Sequence, residues 1–291
     1  MSAQPAVIGK GPRGDKVRGW AFYVVLLVSV SIGFLLLGVL LIDVFRKGIG
    51  YLDPTLLTEP NSSNPQRAGA GPAIRGTIYM MFILLVTVVP LGVGTALYLE
   101  EYANRERWYN RLLEVNIQNL AAVPSIVYGI LGLAFLVRGL GLGRVLLAGA
   151  LILTLLVLPT VIVAAREAIR AVPDSIRQGA YALGATQWQV VSRQVLPAAI
   201  PGIATGSILA LARAIGETAP LLLVGALTYV AVNPTLLGSF TALPVQIYQW
   251  ITRPQDEFRL LAAAGILVLL AILLVMNAFA IWLRNRYQRR W

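Results

Sequence analysis

An all-α polytopic membrane protein is the fold class this chain predicts, and three observations carry it. Of its 291 residues 57% are hydrophobic and 13% charged, with a mean hydropathy of +0.74, whereas a soluble domain carries about 25% charge. The few charges divide the chain into long uncharged runs. The basic residues collect between those runs, unevenly on the two sides that the runs define.

The runs give the elements in order. Twenty-four uncharged residues separate Arg18 from Asp43, Arg75 from Glu100, and Arg259 from Arg284. Another 23 lie between Glu114 and Arg138, and 21 between Arg144 and Arg166. A bilayer core takes roughly 20 apolar residues of helix, so each run predicts a span. A sixth is predicted between about Ala199 and Ala226, giving six transmembrane helices. The first run is long for a removed signal peptide and reads as a retained anchor. The segment from Asp43 to Ala73 is rich in Pro, Gly and Asn and predicts an irregular outer loop. It sets residues 1–73 (basic head, first helix, loop) apart from a core over 74–283, with a basic tail at 284–291.

The net charge of +11 belongs to topology rather than to nucleic acid. With six spans, 15 basic residues fall on the side of the termini and eight on the other. The positive-inside rule then places both termini in the cytoplasm, with Arg46 and Lys47 running against the trend.

Absences narrow the chemistry. There is no Cys and no His, which excludes disulfides, thiol nucleophiles, Ser-His-Asp triads and His-ligated metals. The three lysines precede Gly11, Val17 and Gly48, so no Gly-rich loop ends in Lys-Ser or Lys-Thr and no P-loop is present. Glu217 alone among the acidic residues lies well inside a predicted span. An enzyme is not expected.

The segment "REAIRAVPDSIRQGAYALGATQWQVVSRQVLPAAIPGI" between the fourth and fifth runs is too charged to span and too regular for a linker. Ile176, Ala180 and Leu183 recur on one face of a short helix. Pro173 suits its first turn, Asp174 complements its dipole, and Gly184 suits a left-handed cap. Thr186 and Gln189 have capping-box spacing for a second short helix, with Trp188, Val191 and Val195 on one side. Such a pair either lies on lipid headgroups or docks on a cytoplasmic partner.

This loop resembles the signature loop of ABC importer permeases, in which Glu-Ala-Ala, a Gly and a Leu-Pro recur at fixed spacing. Gln178, Gly179 and Ala180, then Gly184 with Ala185, then Leu196 and Pro197 fall at those positions. Gln178 stands where Glu is usual, and Gln194 where an aliphatic residue is usual. "GPAIRGTIYM", "NLAAVPSIVYGILGL", "AVPDSIRQGAYALGAT" and above all "LARAIGETAPLL" resemble the A-type permeases of phosphate importers, over about residues 50–285. The resemblance implies a type I importer permease fold and a place in a complex. Its partners would be a second, C-type permease, two ATPase subunits that bind ATP and Mg, and an external phosphate-binding protein. It implies no cofactor in this chain.

Arg213 and Glu217 stand four residues apart in that last motif. A charge at the centre of a span costs about 2.5–3.5 kcal/mol, so two need a reason. On one helix they would share a face, either as a structural pair inside the bundle or along an anion path. Arg matches two phosphate oxygens with its planar fork. A carboxylate beside it accepts a hydrogen bond from protonated phosphate and repels sulfate, which carries no proton. The resemblance places this pair on the phosphate path, with Thr218 beside it; Ser125, in the Pro124-Ser125 pair of the third helix, is a further candidate. Pro220 is expected to loosen the Gly216 carbonyl within the same helix. Asn277 is expected to form an interhelical hydrogen bond. The alternatives are a permease for sulfate or molybdate, an ion-coupled secondary transporter gated by the charged pair, and a non-transporting scaffold.

Overall fold

The computed structural model describes residues 13–104, 106–226 and 233–287, and among them every regular element is helical. The elements are α1 (Arg13–Gly48), α2 (Pro54–Thr58), α3 (Gly71–Leu97), α4 (Trp108–Ala121), α5 (Ser125–Gly132), α6 (Leu146–Arg170), α7 (Asp174–Ala182), α8 (Gln187–Val190), α9 (Leu196–Ile215), α10 (Ala219–Val224), α11 (Leu243–Ile251) and α12 (Asp256–Tyr287). π-helical turns extend α3 through Tyr98–Tyr102, extend α5 through Leu133–Gly139, and join α8 to α9 through Val191–Val195.

Five helices are long and apolar enough to cross a membrane: Arg18–Tyr51, Gly71–Tyr102, Leu146–Arg170, Gln187–Ile215 and Asp256–Arg286. The third uncharged run is a corrected case. α4 and α5 meet at 106° across Ala122–Pro124, so six spans result only if this bent pair counts as one. Pro124 is the cause, because its missing N–H and restricted neighbour end a helix there. The span predicted between about Ala199 and Ala226 is also interrupted. α9 stops at Ile215, and α10 begins after Gly216–Thr218. At the other end α9 reaches back through the π turn to Gln187, well before the predicted start at Ala199.

α6 is the centre of the bundle, with two-thirds of its most apolar window buried, while α1 has none of its own buried. α6 packs mainly on α3 and α9. Gly202 and Gly206 on α9 sit over Ala168 and Ala164 on α6. A Cβ at Gly202 would lie 2.7 Å from the Ala168 methyl, so this small-residue seam lets the two backbones approach. Between α3 and α6 the hydroxyls of Thr87 and Thr154 share a 2.9 Å hydrogen bond. α1 leans mainly on α12. Asn277 departs from expectation: its Oδ1 is buried with no hydrogen-bond partner among the described residues.

The segment after α1 is more ordered than its composition predicts. Asp53 caps α2, accepting from Leu56 N–H at 2.8 Å and from the Thr55 hydroxyl at 2.7 Å. Those donors, the Leu56 N–H foremost, hold its carboxyl below the ordinary 3.8. Because the folded value is lowered, the stabilisation is full above the unfolded pKa and is lost as pH falls through the folded one. The protection of the Leu56 amide, relative to its intrinsic exchange rate at each pH, should therefore fall on acidification below about pH 4. Asp53→Asn, which still caps, should flatten that dependence; an unchanged profile in the variant would exclude the cap as its source.

Candidate functional site

α9 presents one open face. Beyond the Gly202–Gly206 seam with α6, Leu209 and Arg213 near the end of α9 are exposed, and at about 100° per residue they point to one side, with Gly216 exposed at the C-cap. Arg213 sits in the last turn of α9, and Glu217 in the break that follows. Their side chains approach at 3.5 Å (Nε to Oε1), with Arg213 64% exposed and Glu217 16%. The expected pair forms, but across a helix end rather than along a continuous face.

The break has local causes. Gly216 closes α9, its N–H bonding to Arg213 O at 3.2 Å, and Glu217 N–H bonds to Ala214 O at 3.2 Å. Thr218 then serves as N-cap of α10, and its hydroxyl donates to Gly216 O at 3.3 Å. Pro220 lies in the first turn of α10, where an N–H has no intrahelical partner. The expectation that it loosens the Gly216 carbonyl inside one helix is therefore corrected. Ser125 is the first residue of α5, and α5 packs on α10 where Gly129 meets Pro220; a Cβ at Gly129 would lie 2.7 Å from Pro220 Cα. Among the described residues Ser125 makes no hydrogen bond to Arg213 or Glu217.

At the other end of α9 the α7–α8 loop forms the two predicted short helices. Gly184 has φ +77°. Its N–H bonds to Tyr181 O at 2.9 Å, and Ala185 N–H bonds to Ala180 O at 3.2 Å. This is the double closure of a left-handed helix cap. The Thr186–Gln189 capping box is complete. Three details differ from expectation. Pro173 is the N-cap of α7 rather than a helical residue. Leu183 lies at the C-cap and is 90% exposed, so only Ile176 and Ala180 pack inward. Trp188 is 68% exposed while Val190, Val191 and Val195 are buried, because the π turn shifts the inward face. Gln178, Gly179 and Gly184 are exposed; Ala185, Leu196 and Pro197 are partly buried.

A charged junction that sequence reading missed anchors this loop. Arg166 on α6 donates to Glu100 at 2.7 Å and to Glu114 at 2.6 Å. Arg170 reaches Glu100 at 2.9 Å. Next in sequence, Glu101 takes Arg177 of α7 at 2.9 Å, while Gln187 of α8 donates to its backbone carbonyl. Arg177 also donates to Ile169 O at 2.9 Å and Val172 O at 2.6 Å, the carbonyls at the end of α6. Consecutive carboxylates thus tie α3 to α6 and to the loop. Their partners lie 66 and 76 positions away. The only local signal was their position closing an uncharged run.

A bundle of apolar helices with an amphipathic two-helix loop at one end and a charged pair on an open flank defines a membrane permease subunit. The chain belongs to the family described as "Binding-protein-dependent transport system inner membrane component", whose pattern matches residues 88–290. It is 35% identical over 218 residues to the "Phosphate transport system permease protein PstA 1" of Mycobacterium tuberculosis, covering 75% of this chain and 71% of that one. It is also 35% identical over 243 residues to the protein named PstA of Yersinia pestis, covering 83% and 81%. Among solved structures, a bacterial alginate ABC transporter in complex with a pentasaccharide-bound periplasmic protein has a chain of the same fold. The TM-score is 0.66 at 18% identity, covering 94% of this chain and 96% of that one.

Proposed function

We propose that the chain is a permease subunit of an ATP-driven importer of inorganic phosphate and forms half of its translocation path. The observation that carries the reading is the Arg213–Glu217 pair on the open face of α9, within a chain whose relatives are named phosphate permeases. The face is the surface a second permease would complete, with Thr218 in the break beside it and Ser125 opening α5, the helix that packs on α10. Phosphate is held by the guanidinium fork and donates its own proton to Glu217; sulfate has no proton to give. ATP hydrolysis belongs to separate ATPase subunits docked on the α7–α8 loop, whose turn displays Leu183, Tyr181 and Trp188 to solvent. This puts the loop and both termini on the cytoplasmic side of the inner membrane. An external binding protein delivers phosphate from the opposite side.

Proteoliposomes holding this chain, its second permease and the ATPase pair, supplied with the phosphate-binding protein, should accumulate labelled phosphate only with ATP inside. ATP-independent accumulation driven by an ion gradient would favour the secondary-transporter alternative.

Two variants test the loop. A Cβ at Gly184 meets no atom within 4 Å, and Asp, like Asn, enters the left-handed region, so Gly184→Asp acts chiefly by putting a charged side chain on a docked surface. Uptake should fall at least tenfold with the chain still inserted. Gly184→Asn, which tolerates the left-handed region, should be milder; wild-type uptake and ATPase binding in Gly184→Asp would leave the loop lying on lipid. Arg177→Ala should loosen the loop from α3 and α6, so that ATP is hydrolysed with less phosphate moved per turnover. An unaltered phosphate-to-ATP ratio would exclude that transmission role.

A further inference from the structure

Two cavities, of about 770 and 900 Å³, share Leu85, Ile208, Leu211 and Ala280 as lining residues. Together they make one groove between α3, α9 and α12. Its walls are apolar apart from Ser207 and Asn277 along its length and from one end, where Arg193 and Arg284 face it from two different helices. Among the described residues neither arginine has a carboxylate within ion-pair distance. Arg284 instead donates to the Thr205 hydroxyl at 2.9 Å and to Asn285 at 3.2 Å. The groove has an amphiphile's polarity, a cationic end on an oily channel.

Its place on α9 narrows the occupant. Ile200, Ala204, Ser207, Ile208 and Leu211 line the groove, whereas Leu209 and Arg213 project roughly opposite, at about 100° per residue. The groove is therefore on the flank turned away from the face that carries the charged pair. From Arg193 to Leu211 it follows roughly 27 Å of helix, more than the ~15 Å of hydrocarbon in one leaflet. Basic pockets between transmembrane helices on the cytoplasmic side suit anionic headgroups.

We propose that this groove binds an anionic phospholipid of the cytoplasmic leaflet, its headgroup held by Arg193 and Arg284 and an acyl chain lying along α3 and α9. The inference rests on the permease reading for the sidedness and for treating the Arg213 face as the path. Lipid retention is read without transport, so failure of one is distinguishable from failure of the other.

The test uses the assembled complex in nanodiscs of phosphatidylcholine with increasing phosphatidylglycerol, with retained lipid counted by native mass spectrometry. The wild type should retain phosphatidylglycerol in preference to phosphatidylcholine. Arg193→Gln with Arg284→Gln should weaken that retention roughly thirtyfold, and the lysine pair, Arg193→Lys with Arg284→Lys, should keep most of it. Arg286→Gln is the control for bulk charge, since Arg286 stacks over Trp282 and does not line the groove. Ala204→Trp fills the groove while keeping both arginines and should displace the lipid. Equal retention in the double variant, equal loss in the control, or no preference for the anionic lipid would overturn the proposal. So would a second helix in the groove. Ser207 Oγ and Asn277 Oδ1, both buried without a partner among the described residues, are the groups such a helix would bond. The chain has no cysteine, so Ala204→Cys offers a single reactive position, and an efficient cross-link from it to the second permease would exclude the lipid.

Discussion

Arg213→Gln is expected to abolish ATP-driven phosphate uptake while the assembled complex remains in the membrane. The physical basis is the exposure of the guanidinium. Arg213 is 64% exposed while Glu217 is 16%, and the contact between them is 3.5 Å long. Replacement by glutamine keeps a hydrogen-bond donor for Glu217 but takes away the charged two-oxygen fork. Arg213→Lys keeps the charge without the fork and should reduce uptake sharply. Glu217→Gln keeps shape and hydrogen bonding without the negative charge, so discrimination against sulfate should weaken. The charge swap, Arg213→Glu with Glu217→Arg, separates path from structural pair. It restores an ion pair but moves the guanidinium out of α9 into the Gly216–Thr218 break, so uptake should stay lost. Uptake is normalised to complex recovered from the membrane, and full uptake in the swapped protein would sink the path assignment.

The second large effect is expected at Arg166, and it is on assembly rather than on transport. This side chain is 7% exposed and the Glu100 carboxylate bonded to it 2%. Breaking a buried, hydrogen-bonded ion pair by deleting one partner typically costs about 3–5 kcal/mol, because the remaining charge stays out of water. Arg166→Ala should lower the thermal midpoint of the purified complex and its yield from membranes. Arg166→Met combined with Glu100→Gln removes both charges and should recover much of that loss. A wild-type midpoint in Arg166→Ala would exclude the junction as a structural anchor. No recovery in the double variant would mean that Glu114 and Arg170 also depend on the pair.

Legibility in the sequence followed the range of the interaction. Gly184 and the Thr186–Gln189 box were readable because left-handed caps and capping boxes are closed within six residues, and both formed as expected. Trp188 was misplaced because a π turn between Val191 and Val195 rotates the inward face, and nothing in the local composition announces that extra residue. The Gly202–Gly206 seam was visible in the sequence but acquired meaning only opposite Ala164 and Ala168. Glu100 and Glu101 looked like ordinary charges ending a run until α6 and α7 were placed against them.

Composition and the spacing of charges by themselves determined that the chain is helical, lies in a membrane and carries a capped two-helix loop. Those properties depend on transfer free energy and on hydrogen bonds between near neighbours, which a linear pattern records. Only the tertiary structure decided that the third run is bent at Pro124 and that α9 ends between Arg213 and Glu217. It alone put Arg213 on an open flank and buried Arg166 between two carboxylates. Helix packing sets these features through contacts between residues tens of positions apart, and no local pattern records which distant helix arrives at a given face.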